Sequence, residues 1–214
     1  MIWLGLSVAI FLGAFYKSNP QVFFNNPLKL LSIAAVLFLA IAWNISPEFP
    51  GQEPGKFYGL IFHFYGASLL TAMFGPAIAL TLLFPVALFG IYVVQGNIVE
   101  ASQQYLFVCS IPVAFSHLAI LLIRKFIPKH LFILILGNGY VAAFTSTIFS
   151  GIALLIAQQF LGHIPNGFDF EGWVLALIII AFMEGSLSGM LLAIFLIFRP
   201  HWVKTYNEES YMSH

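Results

Sequence analysis

The stretch FYGLIFHFYGASLLTAMFGPAIALTLLFPVALFGIYVV, residues 57–94, contains no Asp, Glu, Lys or Arg and is divided by one strong turn signal, Gly75-Pro76. Proline disfavours helical geometry in the residue before it and suits the first turn of a new helix. The block therefore reads as two membrane-crossing segments, Phe57–Phe74 and Pro76–Val94, joined by a tight hairpin. A spanning helix needs roughly 20 mostly apolar residues to cross about 30 Å of hydrocarbon.

Five further stretches qualify: Ile2–Tyr16, Leu28–Ile45, Tyr105–Ile123, Leu131–Phe160 and Trp173–Phe198. Met1 to Tyr16 lack a basic leader and an A-x-A cleavage site, so they read as the first span rather than a cleaved signal. The sixth stretch is long enough to tilt or to carry an outer extension. The expected fold is an all-α integral membrane bundle of seven spans in a single polytopic domain, residues 1–214. Composition agrees: 61% of residues are hydrophobic, 7% are charged, and mean hydropathy is +0.97.

Basic residues set the expected orientation, because cytoplasmic loops hold an excess of them. Lys17 and Lys29 bracket the first loop, Arg124, Lys125 and Lys129 lie in the fifth, and Arg199 and Lys204 follow the last span; Lys56 alone falls on the other side. Glu48, Glu53, Glu100, Asp169 and Glu171 take the opposite loops. Seven spans with the amino terminus outside and the carboxyl terminus inside satisfy every loop, in a cytoplasmic (inner) membrane.

Eight Lys and Arg balance eight Asp and Glu, so there is no basic field for nucleic acid. The single Cys109 excludes an intrachain disulfide and a cysteine zinc site. No G-x-S-x-G, H-E-x-x-H or P-loop occurs, so no catalytic residue, enzyme activity or covalently bound cofactor is expected. With loops of about a dozen residues there is no room for an ATPase domain. Small residues recur at every fourth position in Gly5, Ala9 and Gly13, in Ala142, Ser146 and Ser150, and in Gly185, Gly189 and Ala193. Such stripes pack helices within a chain or dock a membrane partner, and the first helix is the better docking candidate.

Ionisable side chains inside a bilayer are costly and therefore functional candidates. Three occur: His63, His117 and Glu184. His63 reads as a ligand for a borderline transition metal ion or as a neutral, hydrogen-bonded histidine. Glu184 reads as a proton or cation carrier or as a carboxyl that ties two helices together. His117, with no ligand-spaced partner in its helix, reads as structural.

The segment His63–Pro76, HFYGASLLTAMFGP, and the segment Glu184–Pro200, EGSLSGMLLAIFLIFRP, are the most specific signals in the chain. The first resembles the H-x-x-G-[GA]-x-L-x(5)-G-P signature of the CbiM/NikM-like substrate-binding permeases of cobalt/nickel-type energy-coupling factor transporters. His63, Gly66, Ala67, Leu69, Gly75 and Pro76 fall in step with it. The second resembles that family's closing Glu-Gly and Arg-Pro pairs.

This resemblance implies a permease that binds a transition metal ion as substrate and works with a coupling transmembrane subunit and ATPase subunits on separate chains. It also implies a metal held by the terminal amine, here of Met1, by a histidine at position two, and by the motif histidine, here His63. Gly66, Gly75 and Pro76 would shape the hairpin around that site. Two features depart from the family. Position two is Ile2, and the family's His-Ile-Pro segment is replaced by Ile180, Ala181 and Phe182. A membrane scaffold or assembly factor that kept the fold and lost the site is the alternative these departures imply.

Overall fold

A computed structural model of the protein describes residues 2–18, 28–45, 47–52, 55–94, 97–128, 130–162, 164 and 167–206, with the backbone only for 90–94. The described residues form an all-α bundle of seven helices with one small hairpin. The helices are α1 (Ile2–Lys17), α2 (Leu28–Trp43), α3 (Ala67–Phe74), α4 (Pro76–Val94), α5 (Ile98–Phe126), α6 (Leu131–Phe160) and α7 (Phe170–Phe198). The hairpin pairs β1 (Lys56–Phe57) with β2 (Leu60–Ile61), and a short 3-10 turn covers Pro200–Trp202.

Three helices, α5, α6 and α7, are long and apolar enough to cross a membrane, with 29, 30 and 29 residues. At about 1.5 Å per residue each exceeds a hydrocarbon core about 30 Å thick. Their outward faces suit such a setting: Phe182, Met190, Ile197 and Phe198 on α7 are each more than half exposed. Helices α5 and α7 both begin before the expected spans because polar side chains cap them. The Asn97 side chain accepts from the amides of Val99 and Glu100, and Asp169 accepts from Gly172.

The expected helix over Phe57–Phe74 is not formed. Only its last 8 residues, Ala67–Phe74, are helical, and every one of them is buried. Tyr58 and Gly59 take positive φ at 49° and 82°, the backbone of a two-residue hairpin turn. Gly66 at φ 70° then stops any helix from extending backward. The half-helix α3, about 12 Å long, becomes the axis of the bundle, with α4, α5, α6 and α7 packed around it.

The turn at Gly75-Pro76 forms where the sequence places it. Gly75 sits at φ 86° and Pro76 opens α4. Ser68 of α3 ties the axis to its neighbours, its hydroxyl 2.6 Å from Ser116 of α5 and 2.9 Å from Ser146 of α6. The carboxyl end of α3 is closed by the chain after α7: Lys204 and Thr205 amides donate to the carbonyls of Met73 and Ala72. Arg124 donates to the Thr205 carbonyl at 2.6 Å and holds that strap in place.

Helices α5 and α6 each contain a widened π-type segment, Tyr105–Ser110 and Leu134–Val141. Pro112 accounts for the first, since its ring excludes the carbonyl four residues earlier and its missing N–H breaks the ladder. The second brings Gly139 so close to α7 that a Cβ there would lie 2.7 Å from the Gly189 Cα. The stripe Gly185, Gly189 thus packs inside the chain, against Tyr140 and Gly139, and Ala142, Ser146 and Ser150 are buried too. The stripe on α1 differs: Gly5, Ala9 and Gly13 are exposed, and nothing lies within 4 Å of a Cβ added at Gly5 or Gly13.

These two environments predict opposite responses to one added methyl group. Gly139→Ala meets backbone that cannot move aside, and thermal melting in detergent will show a loss of about 1–3 kcal/mol. Gly5→Ala meets open space and gains helix propensity, so the same measurement will show no loss, with a gain of up to about 0.5–1 kcal/mol.

Candidate functional site

The non-helical segment from Phe62 to Gly66 is the feature around which the site is built. Buried backbone outside a helix needs a partner for each polar group, because an unpaired N–H or C=O away from water costs as much as a lost hydrogen bond. Here the partners come from four elements. The Phe62 amide donates to the Gly55 carbonyl at 2.9 Å, and the Trp43 indole N–H of α2 donates to the Phe64 carbonyl at 2.9 Å. The Gly66 carbonyl accepts the first bond of α3, from Leu70.

Two further amides meet Glu184. Tyr65 N–H donates to Glu184 Oε2 at 2.7 Å and Gly66 N–H donates to Oε1 at 2.9 Å. The carboxyl sits on α7, is 1% exposed, and faces the amino end of α3, where a helix favours negative charge. A buried carboxyl needs such partners, because polar atoms left unpaired away from water are costly. Glu184 is therefore held as a bidentate clamp between α7 and α3.

His63 lies at the middle of the pinned segment. Its ring is 5% exposed, stacks on Trp43 with centroids 4.5 Å apart, and lies 5.2 Å from the Tyr65 ring. Neither ring nitrogen has a hydrogen-bond partner among the described residues; the Phe64 backbone is near but out of bonding geometry. Trp43 covers a face of the imidazole, whereas the nitrogen lone pairs and N–H point outward in the ring plane. Both nitrogens are nevertheless buried, closed off from solvent in this conformation.

Gly66 adjoins His63 and Glu184. A Cβ there would meet Leu39 Cδ2 at 2.6 Å, besides requiring a left-handed backbone. Gly75 and Pro76 lie at the far end of α3, one helix length from His63, so they shape the hairpin and not the histidine's surroundings. His117 is half-buried on α5 and belongs to no cluster with the other two. Met1 lies outside the described residues. Among the described residues no group of three or more His, Cys, Asp and Glu gathers as a metal site would. The sequence reading missed Trp43 and Tyr65 as walls of the site. The signal for Tyr65 was the aromatic run Phe62–Tyr65 between Gly59 and Gly66, which suits extended chain better than helix; Trp43, in α2, carried no local signal.

In comparisons with known proteins, no family model matches the chain and no curated protein matches it.

The clamp predicts a graded response. Glu184→Gln keeps one acceptor oxygen and strands one buried amide, so chemical unfolding in detergent will show a loss of about 1–3 kcal/mol, and Glu184→Ala, which strands both, a larger one. Gly66→Ala will lose at least about 1 kcal/mol from backbone strain alone. If Glu184→Ala melts like the wild type, the carboxyl does not hold α3.

Proposed function

We propose that this chain is the membrane-embedded substrate-binding permease component of an energy-coupling factor type transporter, with a transition metal ion as its substrate. One observation carries the reading. In a segment pinned by Trp43 and Glu184, the buried imidazole of His63 keeps both nitrogens free of partners among the described residues. A buried polar group left without a partner calls for an explanation. A soft donor kept for a cation is one that fits imidazole chemistry. The interrupted third helix supports the same reading, because transporter sites are built where a membrane helix is broken and its unwound backbone lines the site.

In this proposal His63 is a ligand, and the terminal amine of Met1 is the second donor that the family resemblance implies. Glu184 positions the binding segment rather than touching the ion. The chain lies in the cytoplasmic membrane with seven passes, its amino terminus outside, and it delivers its substrate with a coupling transmembrane subunit and separate ATPase subunits. A fluorescent reporter fused after His214 will then report from the cytoplasmic side; a reporter found outside would overturn the orientation.

Calorimetric titration of the purified chain with Ni, Co, Cu and Zn ions tests the binding itself. At least one ion will bind, and His63→Ala will weaken it by about tenfold or more, near 1.4 kcal/mol, besides lowering the melting temperature through the space left beside Trp43. Absence of heat with all four ions would refute the proposal.

A scaffold that retained the fold is the second reading. It is favoured by Ile2, whose side chain is 83% exposed at the position where the resembled family places a ligand. Purification from native membranes separates the two: ATPase subunits accompany a permease, whereas a metalloenzyme or its maturation proteins accompany a scaffold.

A further inference from the structure

At the end of the bundle opposite Glu184, where α1 ends, α3 gives way to α4 and the strap after α7 returns, a cavity of about 590 Å³ opens. That volume falls within the range of roughly 300–1,000 Å³ typical of ligand sites. Its wall holds Lys17, Lys204 and His201, together with Gly75, Pro76 and Trp202. No Asp or Glu is among its lining residues. Neither lysine has an ion-pair partner among the described residues.

Three further features point to the sign and chemistry of that partner. The Lys204 ammonium is held over the Gly75 turn, 3.5 Å from the place a Cβ would take there. Ala77 and Ile78, which also line the cavity, carry the first amides of α4. A helix leaves such amides without internal acceptors, and they suit an anion. The Trp202 indole N–H is buried with no acceptor among the described residues, and its ring lies in the same wall. A ligand with several acceptor oxygens and negative charge would satisfy all of these donors at once.

We propose that this cavity binds a phosphate group, carried in the membrane by an anionic phospholipid headgroup. Basic pockets between helices at the membrane surface recognise such headgroups. The walls supply both halves of a lipid's chemistry: ammonium groups for the phosphate, and Leu28, Met73 and Phe74 for the first carbons of the tails. The site is independent of metal binding at His63 and rests only on the chain being embedded in a membrane.

The test uses the full chain, reconstituted in phosphatidylcholine vesicles containing phosphatidylglycerol and then released for native mass spectrometry. The wild type will retain phosphatidylglycerol. Lys17→Gln with Lys204→Gln will reduce retention by roughly tenfold. Lys56→Gln with Lys125→Gln, equal in charge but absent from the cavity wall, will not. Trp202→Phe keeps the ring and deletes its N–H, and will reduce retention severalfold without altering the melting temperature.

A second arm titrates inorganic phosphate calorimetrically into the chain in lipid-free detergent. Phosphate binding that is lost in the Lys17/Lys204 variant, without selective retention of the lipid, supports the same site with free phosphate as its source. The proposal is overturned if neither probe binds, or if the two double variants behave alike.

Discussion

Glu184 accepts hydrogen bonds from two successive amides at the amino end of α3, and the rest of the bundle depends on that clamp. A helix of 8 residues is too short to form on its own, since nucleation fixes several dihedrals for a single bond. Here both of its ends are held from outside. The carboxyl of α7 takes the two amides just before the helix, and the strap after α7 supplies amides to the Ala72 and Met73 carbonyls at the other end. Held in this way, α3 sits fully buried while α4, α5, α6 and α7 pack on its sides. Its hydroxyl at Ser68 then links two of those neighbours.

The same clamp explains why the chain before α3 can leave helical geometry inside an apolar bundle. Glu184 holds the amides of Tyr65 and Gly66, and Trp43 holds the Phe64 carbonyl, so these groups need no helical partner. His63 is turned into the interior beside two aromatic rings. The functional proposal grows from the unsatisfied imidazole in this pinned segment. Glu184, which a sequence reading ranks beside His63 as a candidate carrier, has both oxygens engaged in holding structure.

Legibility in the sequence varied with the range of the interaction concerned. The turn at Gly75-Pro76 was readable because proline acts on its immediate neighbour. Helix α6 was readable to the residue, as an unbroken apolar run that ends where polarity returns. The third span was misread because hydropathy reports burial without reporting conformation. Phe57 to Phe74 is apolar whether it is helix, hairpin or irregular chain, and Gly59, Gly66 and the aromatic run between them were the local signs of the difference. The small-residue stripes looked alike in sequence, yet one is packed against backbone and another faces open space.

The sequence by itself determined the apolar character of the helices, the all-α class and the places where apolar runs stop, since transfer free energy and proline geometry are properties of single residues and short segments. Tertiary structure decided that α3 is a half-helix and that Glu184 is its anchor. The bonds responsible join residues 119 and 118 positions apart, and no local pattern encodes which amides a distant carboxyl will meet. It also decided which polar groups stay unpaired, because pairing depends on what packing brings within about 3 Å, and that is known only once the chain has folded.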